Sequence, residues 1–144
     1  MKQQQRLAAL AHFAPIFLNP NFRFAIWEQP APDESGVLLV PYRTLSPGAA
    51  EFRRACQTFG WAQTVNWRHW MQTETAKSLM QSPEHVAEAS SEELGKMLTA
   101  FIRGDRFMEG TLNAAFERGF LTAIAQRAEA LLSGHDGPED QPVL

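Results

Sequence analysis

The residues whose types and spacing could do chemistry gather late in the chain. Arg103, Asp105, Arg106, Glu109, Glu117 and Arg118 lie close together in sequence, beside the large apolar residues Ile102, Phe107 and Phe116. Guanidinium groups hold carboxylates and phosphates through a rigid fork of donors. Arg103 and Arg106 are therefore candidates for holding an anionic group, with Glu109 or Glu117 beside them as acid or base. The same residues have a structural reading. A charge near a core must be paired, since an isolated buried charge costs several kcal/mol. Ion pairs from Arg103 or Arg106 to Glu109 or Glu117 would then fix a turn. Trp67 and Trp70 share a helical face close to Trp61 and could wall a ligand or a base. Aromatics at that spacing more often fill a core. They gain interest if they open onto the arginine turn, because aromatic walls with a guanidinium make a usable pocket.

These side chains must be positioned by residues 90–132. Ser90 and Glu93 have the spacing of a capping box, and Leu94, Met97, Leu98, Phe101 and Ile102 then follow as one apolar helical stripe. Gly104 weakens that helix and Gly110, free to take positive φ, ends it. Thr111 can cap a second helix with Leu112, Ala115 and Phe116 on its apolar face. Gly119 is the natural break before a third run containing Leu121, Ile124, Ala128 and Leu131. Two helices meeting near Gly119 are expected; the period alone also allows one bent helix.

The pattern Leu98-Thr99, Ile102-Arg103, Arg106-Phe107, Glu109-Gly110 and Leu112, followed by Phe116-Glu117, Gly119, Leu121 and Ile124, resembles a family of small bacterial proteins known only as a domain of unknown function. Its most specific part is the Arg-Phe-x-Glu-Gly segment. Trp61, Asn66-Trp67, Pro41-Tyr42 and Ser46-Pro47 extend the resemblance from about residue 7 to residue 132. It implies a bacterial, cytoplasmic protein and implies no activity. Asn66 stands where an acidic residue is expected before the tryptophan, which argues against a catalytic carboxylate there.

Other chemistry is missing from the sequence. His12, His69, His85 and His135 have no metal-ligand spacing with one another or with Cys56, so no metal is expected. There is no glycine-rich phosphate loop, nucleophile elbow or dinucleotide fingerprint, and no cofactor is expected. Arg103-Gly104-Asp105 matches an adhesion tripeptide by coincidence, at a helix end. The lone Cys56 excludes an intramolecular disulfide and fits a reducing compartment. No 18-residue apolar run is present, so no membrane span is expected. The apolar run at residues 7–18 is interrupted by His12 and Pro15 and lacks a convincing cleavage site. The net charge of −3 hides an asymmetry: residues 1–72 carry +3 and residues 73–144 carry −6. The acidic half holds the helix-turn-helix-like segment, which argues against a nucleic-acid partner. Two such halves could attract each other within the fold or in a homodimer.

Along the rest of the chain, residues 4–14 have helical spacing and end before Pro15. Residues 22–27 alternate as a half-buried strand, and the apolar run 37–40 reads as a strand buried on both faces. Ser46 caps and Pro47 begins a helix to Phe59, with Phe52, Ala55, Cys56 and Phe59 inward. Residues 62–65 could form a third strand. Asn66 caps a helix reaching toward Pro83, and a short helical turn covers residues 85–89. These features predict an α+β fold, a helix-dominated single domain over residues 1–132 with a small two- or three-stranded sheet from the N-terminal half. Residues 133–144 read as a flexible acidic tail. The function that best fits is a non-catalytic binding or protein-interaction module, with a small anion-holding enzyme or ligand-binding protein as the alternative.

Overall fold

The fold is taken from a computed structural model, which describes residues 2–134. The expected tail, residues 133–144, and His135 lie almost wholly outside the described residues. In chain order the elements are α1 (Gln3–Ala11), α2 (Ala14–Leu18), β1 (Ala25–Glu28), β2 (Tyr42–Leu45), α3 (Pro47–Thr58), α4 (Trp67–Trp70) and α5 (Glu74–Gln81). A 3-10 turn (Pro83–Glu88) leads into α6 (Ser91–Gly104), α7 (Thr111–Glu117) and α8 (Phe120–Leu132). The architecture is α+β and helix-dominated, with a small antiparallel two-stranded sheet in the N-terminal half.

The helix starts follow from their caps. Ser46 Oγ accepts from Ala49 N at 3.3 Å, with Pro47 in the first turn, where its missing N–H is no loss. Asn66 Oδ1 accepts from His69 N at 3.2 Å. At α6 the capping box closes in both directions: Glu93 N donates to Ser90 Oγ at 3.1 Å and Ser90 N to Glu93 Oε1 at 2.8 Å. Gly119 takes a φ of 89°, so α7 and α8 are two helices. A side chain there would be strained and would sit 3.4 Å from the Pro83 ring.

Packing then follows the apolar faces. Leu94, Met97, Leu98, Phe101 and Ile102 of α6 are buried, as are Leu121, Ile124, Ala125, Ala128 and Leu131 of α8. The α8 helix lies chiefly against α1 and the 3-10 turn. A second focus is a cluster of phenylalanine rings that ties the N-terminal half to α7. Phe17 meets Phe52 at 5.1 Å and Phe116 at 5.4 Å, and Phe24 stacks on Phe116 at 5.1 Å. Aromatic pairs at such spacings add about 0.5–1.5 kcal/mol each beyond their area burial. This cluster seats the ribbon: β1 and β2 pair as Ala25↔Leu45, Ile26↔Thr44, Trp27↔Arg43 and Glu28↔Tyr42.

Several expectations are corrected. Residues 37–40 form neither a strand nor a buried segment. Leu38 is 74% exposed and Val40 82%, and the second strand begins only at Tyr42. Residues 62–65 form no third strand, because their backbone is bound by α6 side chains instead. Gln63 N donates to Thr99 Oγ1 at 3.0 Å, and Arg103 Nε donates to Gln63 O at 2.8 Å. Gly95 lets this strap lie close, since a Cβ there would meet the Gln63 side chain at 2.7 Å. The helix after Asn66 breaks at Thr73, whose hydroxyl accepts from Ala76 N and caps α5. The first helix stops at Ala11, and Pro15 sits in the first turn of α2.

Candidate functional site

The bend between α6 and α7 is not closed by ion pairs. Asp105 closes it. Its Oδ1 accepts from Gly110 N and Leu112 N, each at 3.1 Å, so one carboxylate caps α7 across the turn. Gly110 makes this possible with a φ of 95°. Among the described residues, neither Arg103 nor Arg106 forms an ion pair with Glu109 or Glu117. Arg103 is committed to Gln63 O, and Arg106 and Glu109 are exposed. The reason is geometric: the turn runs along the surface, where solvated charges gain little from pairing. Phe107 does not shelter it, being 70% exposed, with its ring 6.3 Å from Trp67 and 4.2 Å below the Arg68 guanidinium.

The tryptophans separate. Trp70 is buried in the core, while Trp67 is half-buried beside Phe107. Trp61 is fully buried and donates from Nε1 to Arg6 O at 2.9 Å. Arg6 covers the ring at 4.2 Å and donates in turn to Phe59 O.

A concave surface with convergent polar groups takes in part of the bend. A cleft of about 520 Å³ opens between the ribbon and the α6–α7 turn. One wall is the ribbon face bearing Ala25, Trp27, Arg43 and Leu45, with Tyr42 and Pro41 at its mouth. The facing wall is Asp105, Glu109, Gly110 and Asn113, and Arg53 projects from α3. Cross-strand pairing places Trp27 opposite Arg43, so both point to one face. The Arg43 guanidinium lies 5.1 Å from the Trp27 ring centre and 3.9 Å from Glu117 Oε1. Glu117 also accepts from Asn113 Nδ2 at 2.9 Å. Both candidate carboxylates are thus at this cleft: Glu109 lines it, and Glu117 borders it through Arg43. Its arginines are Arg43 and Arg53, which sequence reasoning did not single out. Arg53 carries only the signal of a solvated helix face, and Arg43 reaches the site through strand pairing that no local spacing reveals.

Cys56 lies on the buried face of α3 and lines none of this cleft, and burial pushes its thiol well above the ordinary range. That state is unsuited to nucleophilic work. Among the described residues, no group of three or more His, Cys, Asp or Glu side chains could hold a metal ion, and no helix is long and apolar enough to cross a membrane.

Fold and site together define a small helix-dominated α+β protein with a mixed-charge cleft beside an exposed apolar arm. Its family is a family of unknown function (DUF6508): the family model matches residues 2–134, and the chain belongs to it. No curated protein and no solved structure matches the chain.

Proposed function

We propose that the chain is a non-catalytic protein-interaction module whose contact surface is the arm between β1 and β2, and that a second copy of the chain covers it. The observation that carries this reading is the exposure of four consecutive apolar residues, Val37, Leu38, Leu39 and Val40. A contiguous apolar patch on a folded surface marks an interface more often than chance scatter does. The backbone supports the same reading. The N–H groups of Leu38, Leu39 and Val40 donate to no described residue, although Leu39 O accepts from Gln29 Nε2 at 2.8 Å, so the segment offers an edge open on its donor side. An edge with unpaired backbone groups and β-branched side chains is a template for strand addition. It is also self-complementary: two copies aligned antiparallel would satisfy each other's backbone and cover each other's side chains. Asp33 holds the base of the arm in shape, accepting from Ser35 N at 2.9 Å and Val37 N at 3.0 Å.

A bacterial cytoplasmic setting fits a buried, reduced Cys56. The second reading, a ligand-holding role for Glu109 or Glu117, is supported by their place on and beside the cleft wall. The interaction reading is tested by multi-angle light scattering on wild type and Leu38→Glu. Wild type should show a concentration-dependent rise toward twice the monomer mass, and Leu38→Glu should stay monomeric with unchanged circular dichroism. A wild-type protein that stays monomeric to about 0.5 mM has a self-affinity too weak for this role.

A further inference from the structure

We infer that the cleft between the ribbon and the α6–α7 turn binds a free zwitterionic α-amino acid with an aromatic or large apolar side chain. A volume of about 520 Å³ is ample for such a ligand and lies within the range of small-molecule sites. The class of ligand follows from which charges in the cleft are already engaged. Arg43 lies over Trp27 and beside Glu117. Asp105 is taken up by the Gly110 and Leu112 N–H groups. Two charges of opposite sign are left over. Arg53 is half-buried and makes no hydrogen bond or ion pair with another described residue, and Glu109 on the facing wall is equally uncommitted.

A guanidinium in that state presents a fork for a carboxylate. A plain anion would meet Arg53 but also face the uncommitted Glu109, with the lining's two arginines set against two carboxylates and Glu117 a third at the border. A ligand with both signs of charge satisfies Arg53 and Glu109 together and leaves the balance undisturbed. The rest of the surface asks for an apolar body: Trp27 and Leu45 offer flat and aliphatic area on the ribbon face that walls the cleft. The ligand's carboxylate therefore goes to Arg53, its ammonium to Glu109, and its side chain to Trp27 and Leu45. This site adjoins the apolar arm at Pro41 but uses none of residues 37–40.

The test is an amide NMR titration of the full chain with L-tryptophan, L-phenylalanine and L-leucine, each also as its N-acetyl and its amide derivative, and with inorganic phosphate. The expected result is saturable shifts at residues 42–45 and 109–113 with a free amino acid, and binding at least about tenfold weaker once either charge is capped, equivalent to about 1.4 kcal/mol. Arg53→Gln should weaken the free amino acid to the level of its amide. Glu109→Gln, at an exposed position where folding is not at risk, should weaken it to the level of its N-acetyl form. The proposal is overturned if no amino acid of the panel gives saturable shifts up to about 10 mM. It is equally overturned if an N-acetyl derivative or phosphate binds as tightly as the free amino acid, which would make the cleft a simple anion site, or if both variants bind like wild type.

Discussion

Replacing Asp105 by Ala should unfasten the bend on which the second half of the fold turns. The side chain is partly buried, and one oxygen accepts two backbone N–H groups at 3.1 Å each. Removing a helix-capping acceptor costs about 0.5–2 kcal/mol, typically about 1. Here two donors lose their partner at once, on either side of a glycine held at a φ of 95°. Hydrogen bonds to a charged group are worth about 1.5–3 kcal/mol each when well formed. These are long and near solvent, so water can replace part of the loss. The combined estimate is about 2 kcal/mol, which for a chain of this size lowers the melting temperature by about 5–10 °C. Asp105→Asn keeps an acceptor and should lose less than half as much. Arg106→Ala removes a solvated side chain and should change stability by less than about 0.5 kcal/mol. Scanning calorimetry and urea unfolding of the three variants measure these differences. If Arg106→Ala costs about 2 kcal/mol or more while Asp105→Ala is neutral, an arginine ion pair fixes the bend after all and the capping account is wrong.

Four further outcomes are expected. Thr99→Val should destabilise by about 1–3 kcal/mol, because the fully buried hydroxyl accepts from Gln63 N and donates to Gly95 O at 2.7 Å, and the strap loses its anchor; equal urea midpoints would contradict this. Gly119→Ala and Gly110→Ala should each cost about 1–2 kcal/mol from the positive φ of these residues, since an added Cβ meets only an ordinary contact with Pro83 at the first and open space at the second; unchanged thermal melts would count against the turn geometry described. Cys56 should resist a thiol reagent at pH 8 until the protein unfolds, since burial holds the thiol protonated; rapid labelling of folded protein would disprove its burial. Asp33 is held below the ordinary carboxylate range by the Ser35 hydroxyl first and the Val37 N–H next. Its depressed folded value means the turn is favoured at neutral pH and loosens as pH falls through that value. The Ser35 and Val37 amide shifts should titrate with a midpoint below that of a free aspartate, and an ordinary midpoint would remove the interaction.

Much of the helical scaffold was legible because its signals are local. Ser46 with Pro47, Asn66, and Ser90 with Glu93 are caps whose geometry depends on neighbours within a turn, and Gly119 breaks the chain where its positive φ requires it. The apolar stripe of α6 points inward because the period alone assigns a face. Residues 37–40 show where such reading ends. An apolar run states that burial is favourable but not whether the chain supplies a cover, and here no described element does. The apolar period runs past Thr73 without marking it as a cap, and so α4 and α5 read as one helix. Within the charged turn, sign was legible and partner was not. Asp105 serves backbone N–H groups five and seven residues on, Arg103 crosses to Gln63, and the cleft recruits Arg43 and Arg53 through strand pairing and helix packing. Glu109 and Glu117 form no ion pair with Arg103 or Arg106, yet both stand at the cleft.

The central claim is that a second copy covers the open edge at residues 37–40, and backbone hydrogen exchange reads it directly. The Leu38, Leu39 and Val40 amides have no partner within the described chain. At about 0.5 mM their exchange should be slowed at least about tenfold relative to a free peptide, and the protection should vanish on dilution to low micromolar protein. Exchange at free-peptide rates across the whole concentration range would contradict the claim.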